Sequence, residues 1–591
     1  MNKVQCFYLI AVAMFILISC TEKHSTLVPK RPNVIIILTD DQGWGDLSMN
    51  GNTNLSTPNI DNIAKSGASF QNFYVNAVCS PTRAEFLTGR YSFRSGIYST
   101  GGGGERMDVD ETTIAEVFKE AGYKTAAYGK WHNGMQYPYH PNARGFDDFY
   151  GFCSGHWGNY FSPMLEHNGN IVQGNGFLID DFTDRGISFM EENQQKSFFL
   201  YLPFNTPHTP FQAPKHNWDK FKNKEIQMLS GSNKEVINDT RAALAMVENI
   251  DENVGRIIAK TKELGIEDNT IILFFSDNGP ARLRWNGGMR DKKGSTNEGG
   301  VRSPLVMKWP SGIKPGKKVK RIVSVTDLLP TLSEMCGIPY KTNKVLDGIS
   351  VKNSITTDEM EWEDRYILNN WKEKTSIRTQ KYRLTHTGEL HDIENDRNQT
   401  KDLSKDLPIV KNELVKVAKD FLAQRKAELP KIDNRPFYLG HPAMKFTQIP
   451  ARDGTAHGNI KRSNMWPNCS YFTNWTSLDD SITWQVDVPA PGNFKVKLYY
   501  TCKEGDEGST FKLSVGKSNL IAKIIEAHDP PIRGMDEDLA PRIESYVKDW
   551  KVADIGEIEL KAGKALMRLM ALEKPGNTVM DFRLMLFERV E

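Results

Sequence analysis

In the first half of the chain the apolar residues come in unbroken β-branched and aromatic runs. Asn33 to Leu38, Ser197 to Leu202 and Thr270 to Phe275 are the clearest, and such runs suit strands of a parallel sheet covered on both faces. Tyr123 to Tyr128 reads as a further strand. Between these runs the apolar spacing changes to three and four residues. Ile60, Ile63 and Ala64 follow Thr57-Pro58 and stop at Gly67, and Ile114, Val117, Phe118 and Ala121 stop at Gly122. Met246, Val247, Ile250, Val254, Ile257 and Ile258 outline a longer helix. Strands alternating with helices over residues 31–340 predict a doubly wound α/β domain with a mainly parallel sheet.

Past Pro430 the period shortens to two. Ile482, Trp484, Val486 and Val488 alternate with polar residues, as do Phe494, Val496, Leu498 and Tyr500 after the turn Pro489 to Asn493. Further runs cover Ile558 to Leu560, Leu566 to Leu572 and Phe582 to Phe587. Residues 431–591 are therefore expected to form an all-β sandwich module. The module loosely resembles the jelly-roll carbohydrate-binding modules, with Trp466, Tyr471 and Trp475 as candidates for a sugar-stacking face.

Composition places the chain among ordinary globular proteins: 591 residues, 39% hydrophobic, 25% charged and a net charge of +2. Without a strong basic excess, nucleic acid is not an expected partner. Lys3 precedes an apolar run from Phe7 that ends in Leu17-Ile18-Ser19-Cys20. The run is short for a bilayer span and reads as a signal-peptide core. Its ending resembles a bacterial lipobox, which implies lipidation at Cys20, a signal segment 1–20, a tether 21–30 and residence in the bacterial cell envelope, held to the membrane only by lipid. Seven cysteines, scattered and without a Cys-x-x-Cys pair, argue neither for a disulfide framework nor for zinc. Cys469 and Cys502 are candidates for one late bridge.

Chemistry gathers where the apolar runs end. Asp40 and Asp41 follow the first strand, Lys130 and His132 the second, His208 the third, and Asp277 and Asn278 the fourth. In open α/β sheets ligands bind beyond the carboxyl ends of strands. Asp40, Asp41, Asp277 and Asn278 offer hard oxygens, which select calcium or magnesium over zinc. Cys79-Ser80-Pro81 reads as the opening of a helix, with Pro81 at the first helical position. Cys79 then sits at the positive end of the helix dipole, where anions are favoured.

Cys79-Ser80-Pro81-Thr82-Arg83, followed by Leu87-Thr88-Gly89-Arg90, resembles the signature of the type I sulfatases of the alkaline-phosphatase-like superfamily. Asp40-Asp41-Gln42-Gly43-Trp44-Gly45-Asp46 resembles that family's Asp-Asp-x-Gly-x-Gly-Asp motif. Gly129-Lys130-Trp131-His132 and Gly145 to Gly151 fit it too, although Asn133 stands where leucine is usual. Lys292 to Arg302 resembles its Lys-Gly-x-x-x-Glu-Gly-Gly-x-Arg, which points to Lys293, with Lys292 beside it. The likeness covers residues 31 to 430 and implies a small antiparallel C-terminal subdomain at 341–430, with a helix from Val410 to Phe421.

The resemblance implies that a maturation enzyme oxidises Cys79 to Cα-formylglycine, whose hydrate attacks sulfur through a sulfo-enzyme intermediate beside Ca2+ or Mg2+, with Cys79 in its modified form among the metal ligands. Arg83 and Lys130 would orient the diol, Lys293 and His208 would hold the sulfate and support the leaving alcohol, and His132 would take the second hydroxyl's proton. The expected substrate is a sulfated glycan. Candidate contacts are His156, Trp157, Arg282, Arg284, Trp285 and Trp371, since arginines and aromatics suit sugar recognition. Phosphonate or phosphodiester hydrolysis and non-catalytic glycan binding are the competing readings.

Overall fold

The computed structural model describes residues 31–227, 235–358, 361–429 and 433–590. The signal segment, Cys20 and the tether lie outside them. The α/β part is built on ten strands: β1 (Asn33–Thr39), β2 (Ala68–Tyr74), β3 (Lys124–Lys130), β4 (Asp148–Phe152), β5 (Met164–His167), β6 (Asn170–Gln173), β7 (Phe198–Pro203), β8 (Thr270–Ser276), β9 (Leu305–Lys308) and β10 (Lys317–Ser324). They form one sheet in the order β10-β2-β9-β8-β1-β7-β3-β4-β5-β6. β8, β1, β7, β3 and β4 run parallel, while β9, β5 and β6 join antiparallel.

β1 is unbroken because neither of its faces meets water. Val34, Ile36 and Leu38 enter one core with the Cys79–Thr88, Ile114–Glu120 and Leu328–Met335 helices. Ile35 and Ile37 enter the opposite core, against Pro58–Lys65, Leu178–Asn193 and Ile237–Glu263. All five are fully buried, and burying such a side chain contributes about 1.5–3 kcal/mol. Parallel pairing then brings the ends of β1, β3, β7 and β8 to one edge of the sheet.

β11 (Ile367–Trp371), β12 (Lys374–Arg378), β13 (Tyr382–Leu384) and β14 (Leu390–Asp392) form the antiparallel sheet, in sequence order. The Pro408–Glu428 helix, longer at both ends than the sequence suggested, packs on it through Leu414. After Asp433 two further six-stranded sheets enclose a core of Trp484, Val486, Phe494, Val496 and Leu498, the alternating residues read from the sequence. The hairpin of Thr510–Val515 and Ser518–Lys523 was not foreseen. Trp475 belongs to this core, Tyr471 packs edge-on to Trp550 at 5.2 Å, and Trp466 is the exposed member of the three aromatics. Cys469 and Cys502 are free thiols and not a bridge; Cys469 instead donates to the His156 carbonyl at 2.9 Å. The described residues from Pro32 to Val590 pack as one unit. Among the described residues, no helix is long and apolar enough to cross a membrane.

Candidate active site

Main-chain bonds tie the strand ends together: Asp40 N–H donates to the Thr206 carbonyl after β7, and Asp277 N–H to the Thr39 carbonyl on β1, both at 3.1 Å. The side chains then meet. Lys130 Nζ lies 2.5 Å from Asp40 Oδ2, Arg83 grips Asp277 Oδ2 through Nε at 3.1 Å and Nη2 at 2.8 Å, and Lys293 Nζ lies 2.5 Å from Asp41 Oδ1. Asn278 Nδ2 donates to Asp41 Oδ1 at 2.8 Å, and His208 Nε2 stands 3.6 Å from Asp41 Oδ2. Lys292 turns away, donating to the Ala281 carbonyl at 3.0 Å.

Three buried carboxylates share this space. Burial opposes the charge on Asp40, but Lys130, His208 and Arg83 outweigh it and hold its carboxyl well below the usual range. For Asp277 burial wins, with the Asp40 carboxylate adding to it, and its pKa rises to about 7 despite Arg83. Asp40 Oδ1, Asp41 Oδ2 and Asn278 Oδ1 are buried without a hydrogen-bond partner. Single donor atoms of Asp40, Cys79 and Asp277 fall within 4.8 Å of one another, as do those of Asp40, Asp41 and His208. Unpaired hard oxygens around crowded carboxylates fit a hard divalent cation.

Cys79 opens its helix, so Pro81 is the third helical residue and not the first; the missing N–H costs nothing there because the first turn has no intrahelical acceptors. All ten residues of Cys79–Thr88 are buried. Burial pushes the Cys79 thiol above its ordinary pKa in spite of Lys130 and Lys293, so an unmodified thiol would be a poor nucleophile here. Asp41 and His132 both adopt φ of 64°, in the left-handed region. That conformation costs on the order of 1 kcal/mol or more for such residues.

Glycine allows one close approach that completes the site. A Cβ on Gly279 would stand 1.9 Å from the Gly299 carbonyl oxygen, so any side chain there would push the Lys293 loop off the end of β8.

Residues 32–338 match the family model of the sulfatases, and residues 287–427 that of the N-sulphoglucosamine sulphohydrolase C-terminal region. The chain belongs to the sulfatase family. It is a sulfuric ester hydrolase. Mouse N-acetylgalactosamine-6-sulfatase is 31% identical over 368 residues, covering 56% of this chain and 68% of the mouse protein. Rat arylsulfatase G is 30% identical over 379 residues, 54% of this chain and 68% of the relative. The crystal structure of Ps i-CgsB in complex with k-i-k-neocarrahexaose superimposes with a TM-score of 0.60 at 31% identity, over 66% of this chain and 93% of that one.

Not every candidate contact of this sulfatase faces the reaction site. Arg284 is buried on Asp46 at 2.6 Å and also donates to the Asp41 carbonyl at 3.0 Å, so it braces the first strand's loop. Arg282 pairs with Asp239 at 3.3 Å. The Trp285 backbone packs against Gly45, and Trp371 joins the Tyr74, Val301 and Ile367 cluster. His156 stacks on His208 with centroids 5.9 Å apart, whereas Trp157 stacks on Phe152 at 5.0 Å.

The β-rich region also reaches the sulfatase site, which no local pattern announced. Asn468 Nδ2 donates to the Thr100 carbonyl at 3.3 Å, the same carbonyl that His132 Nε2 contacts at 3.0 Å. Glu544 accepts from Thr209 Oγ1 beside His208. Gly155 lies between two of these parts, since a Cβ there would meet Asn468 Nδ2 at 2.4 Å and His132 Nε2 at 2.5 Å.

A pH effect arises from Glu85 on the Cys79 helix. It accepts from Asn76 Nδ2 at 2.7 Å, and burial raises its pKa to about 7. The folded chain keeps this proton between pH 4.5 and 7 while the unfolded chain loses it, so stability falls across that window by up to about 3 kcal/mol. Glu85→Gln is expected to melt like wild type at pH 5 and higher than wild type at pH 8. Identical melting curves at pH 8 would refute the assignment.

Proposed function

We propose that this sulfatase hydrolyses sulfate monoesters of carbohydrates, using Cys79 after its conversion to formylglycine. The observation that carries the reading is the convergence of Asp40, Asp41, Cys79, Lys130, His208, Asp277 and Lys293 at one edge of the sheet. Two relatives support the carbohydrate: one is named for N-acetylgalactosamine 6-sulfate and the other was crystallised with neocarrahexaose. Asp40, Asp41, Asp277 and Asn278 would hold the cation, with calcium preferred for its larger and looser shell. When present, the cation offsets negative charge on the sulfate, and hydrated formylglycine supplies the attacking oxygen.

The chain's own side chains do the rest. Lys130 and Arg83 flank residue 79 with fixed positive charge, which favours the oxyanion form of a group there. Lys293 binds a sulfate oxygen. His208 Nδ1 faces its neighbour's carbonyl, Thr209 O, at 2.6 Å, which leaves Nε2 to give a proton to the departing alcohol. His132 Nε2 is directed at the Thr100 carbonyl and its Nδ1 is buried without a partner. Burial, then Lys130, hold its pKa well below the ordinary value, so the ring is neutral at pH 7 and Nδ1 can accept a proton. Export as a lipid-anchored envelope protein belongs to the same proposal and is supported by the Phe7 to Cys20 run.

Mass spectrometry of the tryptic peptide containing Cys79 tests the modification, and sulfate release from defined sulfated oligosaccharides tests the reaction. Lys293→Ala is expected to lower kcat/KM by about two to three powers of ten. Lys292→Ala removes one ordinary hydrogen bond and should cost no more than about fivefold. Equal losses in the two variants would contradict the placement of Lys293.

A further inference from the structure

Where the β-rich sheets meet the α/β part, a cavity of 310 Å³ lies between Trp157 and the β5–β6 hairpin on one side and Tyr499, Trp550 and Arg583 on the other. Arg533 and Lys548 also line it. The size is that of a site for one small ligand, and the Trp550 indole with the Tyr499 phenol gives it apolar aromatic walls of the kind that pack on sugar rings.

The charges around the cavity do not cancel. Arg533 pairs with Asp549 at 2.7 Å, and Lys548 with Asp581 at 2.7 Å. Arg583 has no such partner: it is 3% exposed and makes no ion pair among the described residues. Its Nη1 donates to the Ser470 carbonyl at 2.9 Å, its guanidinium lies 5.6 Å from the centre of the Trp157 ring, and its Nε is buried without a partner. Burial is the first cause of its lowered pKa. Asp453 and Arg452 act on it from beyond ion-pair distance and with opposite sign, and a buried guanidinium with no anion in contact is unfavourable, whereas its remaining N–H groups suit a sulfate oxygen.

We propose that this cavity is a second saccharide subsite, in which Arg583 holds one sulfate ester while Trp550 packs against a sugar face and Trp157, itself stacked on Phe152, orients the guanidinium. It extends the carbohydrate reading above and uses none of the groups at the strand ends. His156 and Trp157 are consecutive, His156 stacked on His208 and Trp157 lining the cavity, so the subsite and the reaction site share a loop.

The test uses the full-length chain carrying Cys79→Ala, which binds without turnover. Titration calorimetry is run with sulfated hexasaccharides of the carrageenan, heparin and chondroitin types, with their desulfated counterparts, and with sodium sulfate. A sulfated hexasaccharide is expected to bind, to lose tenfold or more in affinity when Arg583→Met or Trp550→Ala is added, and to outcompete sodium sulfate. The desulfated sugar should bind at least tenfold more weakly. Arg583→Met should melt no lower than its parent, because it removes an unmatched buried charge; if it melts lower, Trp550→Ala alone decides.

With Cys79 restored, both variants should hydrolyse a small aryl sulfate within twofold of wild type, which separates failure of the subsite from failure of the sulfatase reading. Unchanged affinity in the variants, equal binding of the desulfated sugar, equal competition by sodium sulfate, or no binding by any of the three hexasaccharides would overturn the proposal.

Discussion

Cys79→Ala is expected to leave a folded protein that releases sulfate more than about a thousandfold more slowly than wild type. The side chain is 3% exposed at the first residue of a wholly buried helix, and alanine fits there with the loss of one small atom. Fold stability should therefore change little, while the group proposed to be modified and to attack sulfur disappears. The surroundings remain: Lys130, Arg83, Lys293 and His208 keep their partners among Asp40, Asp41 and Asp277. Cys79→Ser should also leave little activity unless the host's maturation enzyme accepts serine. Sulfate release by ion chromatography, read beside the mass of the residue-79 peptide, checks both variants. Near-normal turnover by the alanine variant would rule out any covalent role for residue 79.

Glu298→Ala is expected to destabilise the protein by about 3–5 kcal/mol at pH 7. Glu298 Oε1 accepts from Arg383 Nε at 2.7 Å, Oε2 accepts from Arg302 Nη1 and from the Tyr74 hydroxyl, each at 3.2 Å, and Arg378 Nε stands at 3.8 Å. All four partners are buried. Burial opposes the Glu298 charge, but Arg383, Arg302 and Arg378 lower its pKa to about 2.

Because the folded pKa lies below the ordinary 4.5, this stability is fully present above pH 4.5 and lost as pH falls toward 2. Alanine would leave three arginines confined without a counter-charge. It would also loosen the antiparallel sheet, which supplies Arg378 and Arg383, from the turn that places Gly299 against Gly279. Urea unfolding at pH 7 measures the loss; a change under about 1 kcal/mol would show that the arginines rearrange.

Some of this was written locally. Unbroken β-branched runs such as Val34 to Leu38 suit strands covered on both faces, since any exposed face would tolerate polar residues, and parallel strands bring their ends together. The placement of Asp40, Lys130, His208 and Asp277 at one edge followed from that. So did the alternation after Pro430, which predicts two sheets facing each other. Lys293 was legible from its motif, but its choice over Lys292 required the loop.

Other features depend on residues hundreds of positions apart. Glu298 and Arg302 read as part of a lysine motif, yet their partners Arg378 and Arg383 lie on another sheet, so their role as a buried ionic junction appears only in three dimensions. Arg284 looked like a sugar contact and is a brace on Asp46. Asn468 and Glu544 reach the His132 and His208 loops across more than 300 residues of chain. The sequence by itself determined which elements form and which chemistry stands at the strand ends, because burial and hydrogen bonding within a strand or helix are local demands. The tertiary structure alone decided which charges are neutralised and which, like that of Arg583, are left unmatched, because a counter-ion is set by distance in space.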